Sequence, residues 1–339
     1  MLKYQKNSFD IIRYFSAFSV MFLHYTYYAI TLSDGKADSL RILRRFTEFF
    51  PGVIILFAMS GFLISASFER CNSKKEFFLK RVFRLYPELW VCTLVNLFVI
   101  VILYGSYLDS SILVWLITQI PGIANTPSCL DGFATGSVNG ALWTIFTEVQ
   151  LYIVLGICYP WLKRLKTGAW SGIIVLCVAL NLGCRYIADS FGGAAAAIIE
   201  RTFFPYLLWF VIGIFCYVKR EKMIPIIKKY LWIFLMIFAI NKIFKICEYG
   251  YYEDILTSLI LPFVTIGMAY VLPKIRIKVD LTYGIFLYHW IVINVMYHFG
   301  IFMKLSWFMC LVIFVTSVML LAWASWYCNG RNLKTKIKG

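Results

Sequence analysis

The segment FDIIRYFSAFSVMFLHYTYYAI, residues 9–30, is apolar enough to cross a bilayer, yet it holds Arg13 and His24. Eleven positions apart on a helix, the two lie on nearly the same face, about three turns and roughly 16 Å apart along the axis. A second apolar segment, ALWTIFTEVQLYIVLG, holds Glu148. A carboxylate in mid-membrane costs about 2.5–3.5 kcal/mol on insertion scales, so it should face the protein interior and find a partner. His24 is a suitable partner. A carboxylate on one ring nitrogen fixes the tautomer and raises the basicity of the other, which makes a general base. The competing readings are an interior histidine bonded to a carbonyl and a structural ion pair.

Two further clusters could handle a phosphate-bearing ligand. In KRVFRLYPELW, residues 80–90, Arg81 and Arg84 are i,i+3 neighbours on one helix face and could fork onto phosphate oxygens. The same pattern serves as an ordinary topology signal. In FAMSGFLIS, residues 57–65, Ser60-Gly61 permits close backbone approach by another helix or by a ligand. His289, in YGIFLYHWIVI, reads as a satisfied interior histidine, and His298 as an interfacial one. The motifs GxxxxGK[ST], HExxH and GxSxG do not occur, and three histidines spread over two apolar runs form no metal cluster. This argues against an ATP-driven pump and against a zinc or serine hydrolase, and no metal is expected.

The elements that must position these residues follow from composition. The chain has 339 residues, 61% of them hydrophobic, more apolar surface than a soluble fold can hide. The runs are long and continuous, which predicts helices. The fold class expected is all-α, a polytopic membrane protein. Ten spans are placed near 9–30, 49–68, 85–105, 142–161, 170–189, 203–218, 230–247, 255–272, 281–300 and 305–328. The run 111–121, broken at Pro121-Gly122, reads as interfacial or re-entrant. Residues 1–339 form one integral-membrane domain with no separate soluble domain. Lys3 and Lys6 precede a run without a cleavage site, so the first span is retained.

The net charge of +16 is spread between the apolar runs, not gathered in a basic domain, so nucleic acid is not a partner. If the chain crosses ten times, 24 of the 33 Lys and Arg fall on one side and 9 on the other, which places both termini in the cytoplasm. The ten cysteines contain no CxxC pair; Cys92, Cys158, Cys177, Cys216 and Cys310 lie in apolar runs as packing residues. The outer loop 106–141 carries no Lys or Arg and is rich in Gly, Ser, Asn and Asp. It reads either as a cover over an acceptor site or as a connector.

Set in order, these stretches resemble the membrane-bound acyltransferase family 3, the O-acetyltransferase-like proteins of bacterial envelopes. FDIIRYFSAFSVMFLH looks like its opening motif, with Arg13 and His24 in place. FAMSGFLIS, FFLKRVFRLYP, ALWTIFTEVQLY and YGIFLYHW look like four later ones, the last three supplying Arg81, Arg84 and Pro87, then Trp143, Glu148 and Tyr152, then Tyr288, His289 and Trp290. One departure is the end of the last span, SWYCNG, which carries Asn329 where members often place an acid before proline.

The resemblance implies a multi-pass protein of the bacterial cytoplasmic membrane, surrounded by membrane lipids. It would move an acetyl or other short acyl group from cytoplasmic acetyl-CoA to a hydroxyl of an envelope polysaccharide, lipid-linked sugar or glycolipid. His24 would act as general base or carry a transient acyl group, with Glu148 orienting it. Arg13, Arg81 and Arg84 would hold the donor phosphates, and Ser60-Gly61 would let the pantetheine arm pass. Envelope-assembly proteins are expected partners. The alternative from the same residues is a proton-coupled transporter or flippase of a lipid-linked sugar.

Overall fold

A computed structural model describes residues 7–33, 35, 37–275 and 277–330. Lys3, Lys6, Lys36, Arg276 and the basic run from Arg331 to Lys338, which enter the charge count above, lie outside the described residues, as do both termini. Of the described residues 80% are helical, and none is in a strand. In order the helices are α1 (Phe9–Leu32), α2 (Arg41–Phe49), α3 (Gly52–Glu69), α4 (Lys74–Tyr104), α5 (Ser111–Gln119), α6 (Trp143–Leu162), α7 (Thr167–Phe191), α8 (Gly193–Glu200), α9 (Leu207–Val218), α10 (Arg220–Phe244), α11 (Ile255–Val271), α12 (Thr282–His298), α13 (Ile301–Lys304) and α14 (Trp307–Ser325).

Every expected apolar run falls on a helix. Among the described residues, six helical stretches, against the ten spans expected, are long and apolar enough to cross a membrane, and Phe204–Val218 and Ile255–Val271 are shorter apolar helices. Their burial is uneven: the apolar window of Asp38–Glu69 is 72% buried, that of Thr167–Phe191 only 11%. On α4, Leu94, Phe98 and Ile102 form an exposed apolar row at four-residue spacing. Apolar surface on this scale belongs against lipid. Two elements begin well before the expected run. The long helix α4 starts at Lys74, so Arg81, Arg84 and the apolar span are one rigid element, with Pro87 removing one N–H from its ladder.

The chain divides into two compact units. Unit 1 comprises Met1–Ser16, Val53–Lys80 and Thr147–Ile277. A close seam joins α3 and α9 through two glycines. A Cβ on Gly61 would stand 2.1 Å from the Phe210 carbonyl oxygen, and one on Gly213 would stand 2.2 Å from that of Ala58. Without side chains at these positions the backbones come into contact, the usual device where lipid offers helices no hydrophobic drive to associate.

Unit 2 comprises Ala17–Gly52, Arg81–Phe146 and Lys278–Gly339. Helix α12 is buried nearly all round, so its polar residues His289 and Asn294 need internal partners. It packs on α14, where Gly284 faces Ala322. Segment 106–141 has a core of its own: Trp115, Leu130, Phe133 and Val138 close over Ile100 of α4 and Ile112 of α5. Trp90 and Tyr86 of α4 hold it from below by donating to the carbonyls of Ile120 (3.2 Å) and Pro121 (3.4 Å). It is therefore a packed element, not a loose connector.

Candidate active site

In unit 2, α1 and α12 bring two histidines face to face. His24 Nδ1 lies 2.8 Å from His289 Nε2, with the rings nearly parallel and their centroids 5.1 Å apart. The other nitrogen of His289, Nδ1, lies 3.1 Å from the carbonyl oxygen of Ile285, one turn back on its own helix. His289 is fully buried. His24 is partly exposed, and its Nε2 makes no hydrogen bond among the described residues. Trp290 closes the pair edge-on, its ring 4.8 Å from that of His24, and Tyr28 stands edge-on to Trp290 at 6.0 Å.

Segment 106–141 fixes this wall. Trp290 Nε1 donates to Thr135 Oγ1 and to the Ser137 carbonyl, both at 3.1 Å. Asn294 Nδ2 donates to the carbonyls of Ser137 and Val138 at 3.0 Å, and its Oδ1 accepts from the Thr135 hydroxyl at 2.7 Å. Asn139 Nδ2 reaches the Leu287 carbonyl at 2.9 Å, while Asn139 Oδ1 accepts from the Ala141 N–H at the start of the turn leading into α6. Gly140 completes the seam: a Cβ there would stand 2.5 Å from the Trp290 ring. The segment left open in the sequence as cover or connector is thus bonded to the turns of α12 on either side of His289.

In unit 1, the Glu148 carboxylate of α6 accepts at Oε1 from Ser60 of α3 (3.0 Å) and from Tyr152, one turn on. Two hydroxyls on one oxygen fix the carboxylate and leave Oε2 as the oxygen with acceptor capacity. The sequence offers Glu148 as the orienter of His24. The structure instead puts His289 on His24 Nδ1 and gives Glu148 the hydroxyls of Ser60 and Tyr152. At Gly61 the Phe210 backbone of α9 takes up the space that a side chain would need, so the close approach on that side is helix on helix. Arg13, on α1, pairs with Asp10 at 3.4 Å in the same helix. Arg81 and Arg84 sit one turn apart on α4, Arg84 exposed and Arg81 half-buried.

Sequence reasoning passed over Glu88, one turn beyond Arg84, although it stands inside the quoted stretch KRVFRLYPELW. Its carboxylate accepts from Ser325 of α14 at 3.0 Å. An acid at the head of an apolar run was the signal that could have found it. The partners of Trp290 and Asn294 were not legible, because they are backbone groups and one threonine hydroxyl of a segment more than 150 residues away.

The sequence model of a family described as an acyltransferase domain matches residues 6–327. Among curated proteins, the chain is 26% identical over 328 residues to nodulation protein 10 of Rhizobium leguminosarum bv. viciae, covering 87% of this chain and 85% of that protein. It is 32% identical over 139 residues to an O-acetyl transferase of Shigella phage Sf6, covering 38% of this chain and 40% of that one. No solved structure matches.

Proposed function

The chain belongs to this acyltransferase family and is an O-acyltransferase of a membrane; from that premise we propose that its donor is acetyl-CoA, or a related short acyl-CoA, taken from the cytoplasm. Its acceptor is a hydroxyl of an envelope polysaccharide, lipid-linked sugar or glycolipid. The protein sits in the bacterial cytoplasmic membrane with ten crossings and both termini inside, as the distribution of Lys and Arg favours.

The observation that carries this proposal is His24. One ring nitrogen is held by His289 and the other is left without a hydrogen bond from the described residues, on a partly exposed side chain. A histidine so placed can take the proton of an attacking hydroxyl, a contribution of about 10²–10⁴-fold. The bonds balance as follows: the acceptor O–H breaks as N–H forms on His24; the oxygen joins the thioester carbonyl carbon; the C–S bond breaks; and the proton passes to the departing thiolate. Arg81 and Arg84, with Arg13, serve the donor phosphates. Glu148 takes part as a fixed carboxylate acceptor, held by Ser60 and Tyr152.

The experiment follows the acyl label. Purified protein in nanodiscs receives acetyl-CoA labelled in the acetyl group together with an envelope extract. Label in an alkali-labile ester of a glycan or glycolipid fraction supports the proposal and names the acceptor class. Label found only in free acetate, with every envelope fraction blank, contradicts it.

A further inference from the structure

We propose that His289 decides which nitrogen of His24 is the base, holding the proton on Nδ1 and the lone pair on Nε2; this rests on His24 being the proton acceptor. A carbonyl oxygen can only accept, so His289 Nδ1, at 3.1 Å from the Ile285 oxygen, carries a hydrogen. His289 is fully buried, and no described carboxylate of unit 2 pairs with either ring, so a charge there would be unpaired and costly. The neutral ring has a single N–H. Its Nε2 is therefore a lone pair, and it faces His24 Nδ1 at 2.8 Å. His24 Nδ1 must donate. The lone pair of a neutral His24 then stands on Nε2, the nitrogen that no described residue occupies.

The backbone of α12 thus sets the reactive nitrogen through two imidazoles in series. His289 keeps its own proton throughout and is a positioning residue. Its hold strengthens when it is needed: once Nε2 takes the acceptor proton, His24 becomes an imidazolium, and its Nδ1–H bond to His289 becomes charge-assisted. The His24 ring packs edge-to-face against Trp290, which segment 106–141 fixes through Thr135 and Ser137. Only three histidines occur in the chain, so their nitrogens can be resolved individually.

The test uses the full chain in nanodiscs with ¹⁵N-labelled histidine, with His24 assigned by difference from His24→Asn. Wild type is expected to show His24 protonated at Nδ1 and bare at Nε2. His289→Gln, whose amide oxygen can take the same hydrogen, is expected to keep that tautomer and most of kcat. His289→Leu offers no acceptor; His24 should then populate both tautomers, and kcat should fall about tenfold or more with the donor KM unchanged. A wild-type His24 bare at Nδ1 overturns the proposal, as does a His289→Leu protein with unchanged tautomer and kcat. Should His289→Leu fail to fold, the wild-type and His289→Gln spectra decide alone. Transfer that survives His24→Ala is a different failure: it removes the base itself, whatever the tautomer.

Discussion

Glutamine at position 148 would keep the size of the side chain and an oxygen for Ser60 and Tyr152 while removing the charge. The expected outcome of Glu148→Gln is a folded protein with lower kcat and an unchanged donor KM; full activity in steady-state assays would take Glu148 out of the reaction. Arg84 tests the proposed contact with the donor phosphates. It is exposed on α4, and a hydrogen bond to a charged group is worth about 1.5–3 kcal/mol. Arg84→Ala should raise the KM for acetyl-CoA about tenfold and leave kcat nearly constant. An unchanged KM would remove the phosphate clamp. At this scale the sequence showed which residues could ionise, because a charge inside an apolar run is conspicuous. It did not show who meets whom. The His24–His289 contact joins residues 265 apart, and only packing of α1 on α12 creates it.

Two glycines separate stability from catalysis among the elements. Gly61 lies in the α3–α9 seam and Gly140 against Trp290. A methyl group on either forces atoms apart, and overpacking of this kind costs about 1–3 kcal/mol. Gly61→Ala should lower the melting temperature in detergent, with the activity of the folded fraction retained. Gly140→Ala should press on the tryptophan beside His24 and lower the kcat of the folded fraction as well as the melting temperature. Equal effects of both on kcat would contradict the division. The helices themselves were legible from continuous apolar runs. Their starts were less so: α4 and α10 run on through Lys and Arg that look like flanking signals, because a helix needs no apolar face where it leaves the membrane. Segment 106–141 was ambiguous for a different reason. Its polar composition is that of a connector, and its order comes from a small core around Trp115 and Phe133 and from bonds to α12.

For the whole molecule, the apolar surface and the family membership agree on a membrane O-acyltransferase. The family was legible because its motifs recur in order over most of the chain, each a local pattern of residue types. The assembled site was not, since hydrogen bonds from a polar segment to a buried helix leave no periodic trace in sequence. The most direct test of the proposal that His24 is the proton acceptor compares wild type with His24→Ala in nanodiscs, following transfer of labelled acetyl from acetyl-CoA to the envelope acceptor. The account predicts a fall of about 10²–10⁴-fold in kcat, with protein that remains folded and still binds the donor. Transfer at the wild-type rate by His24→Ala would contradict it.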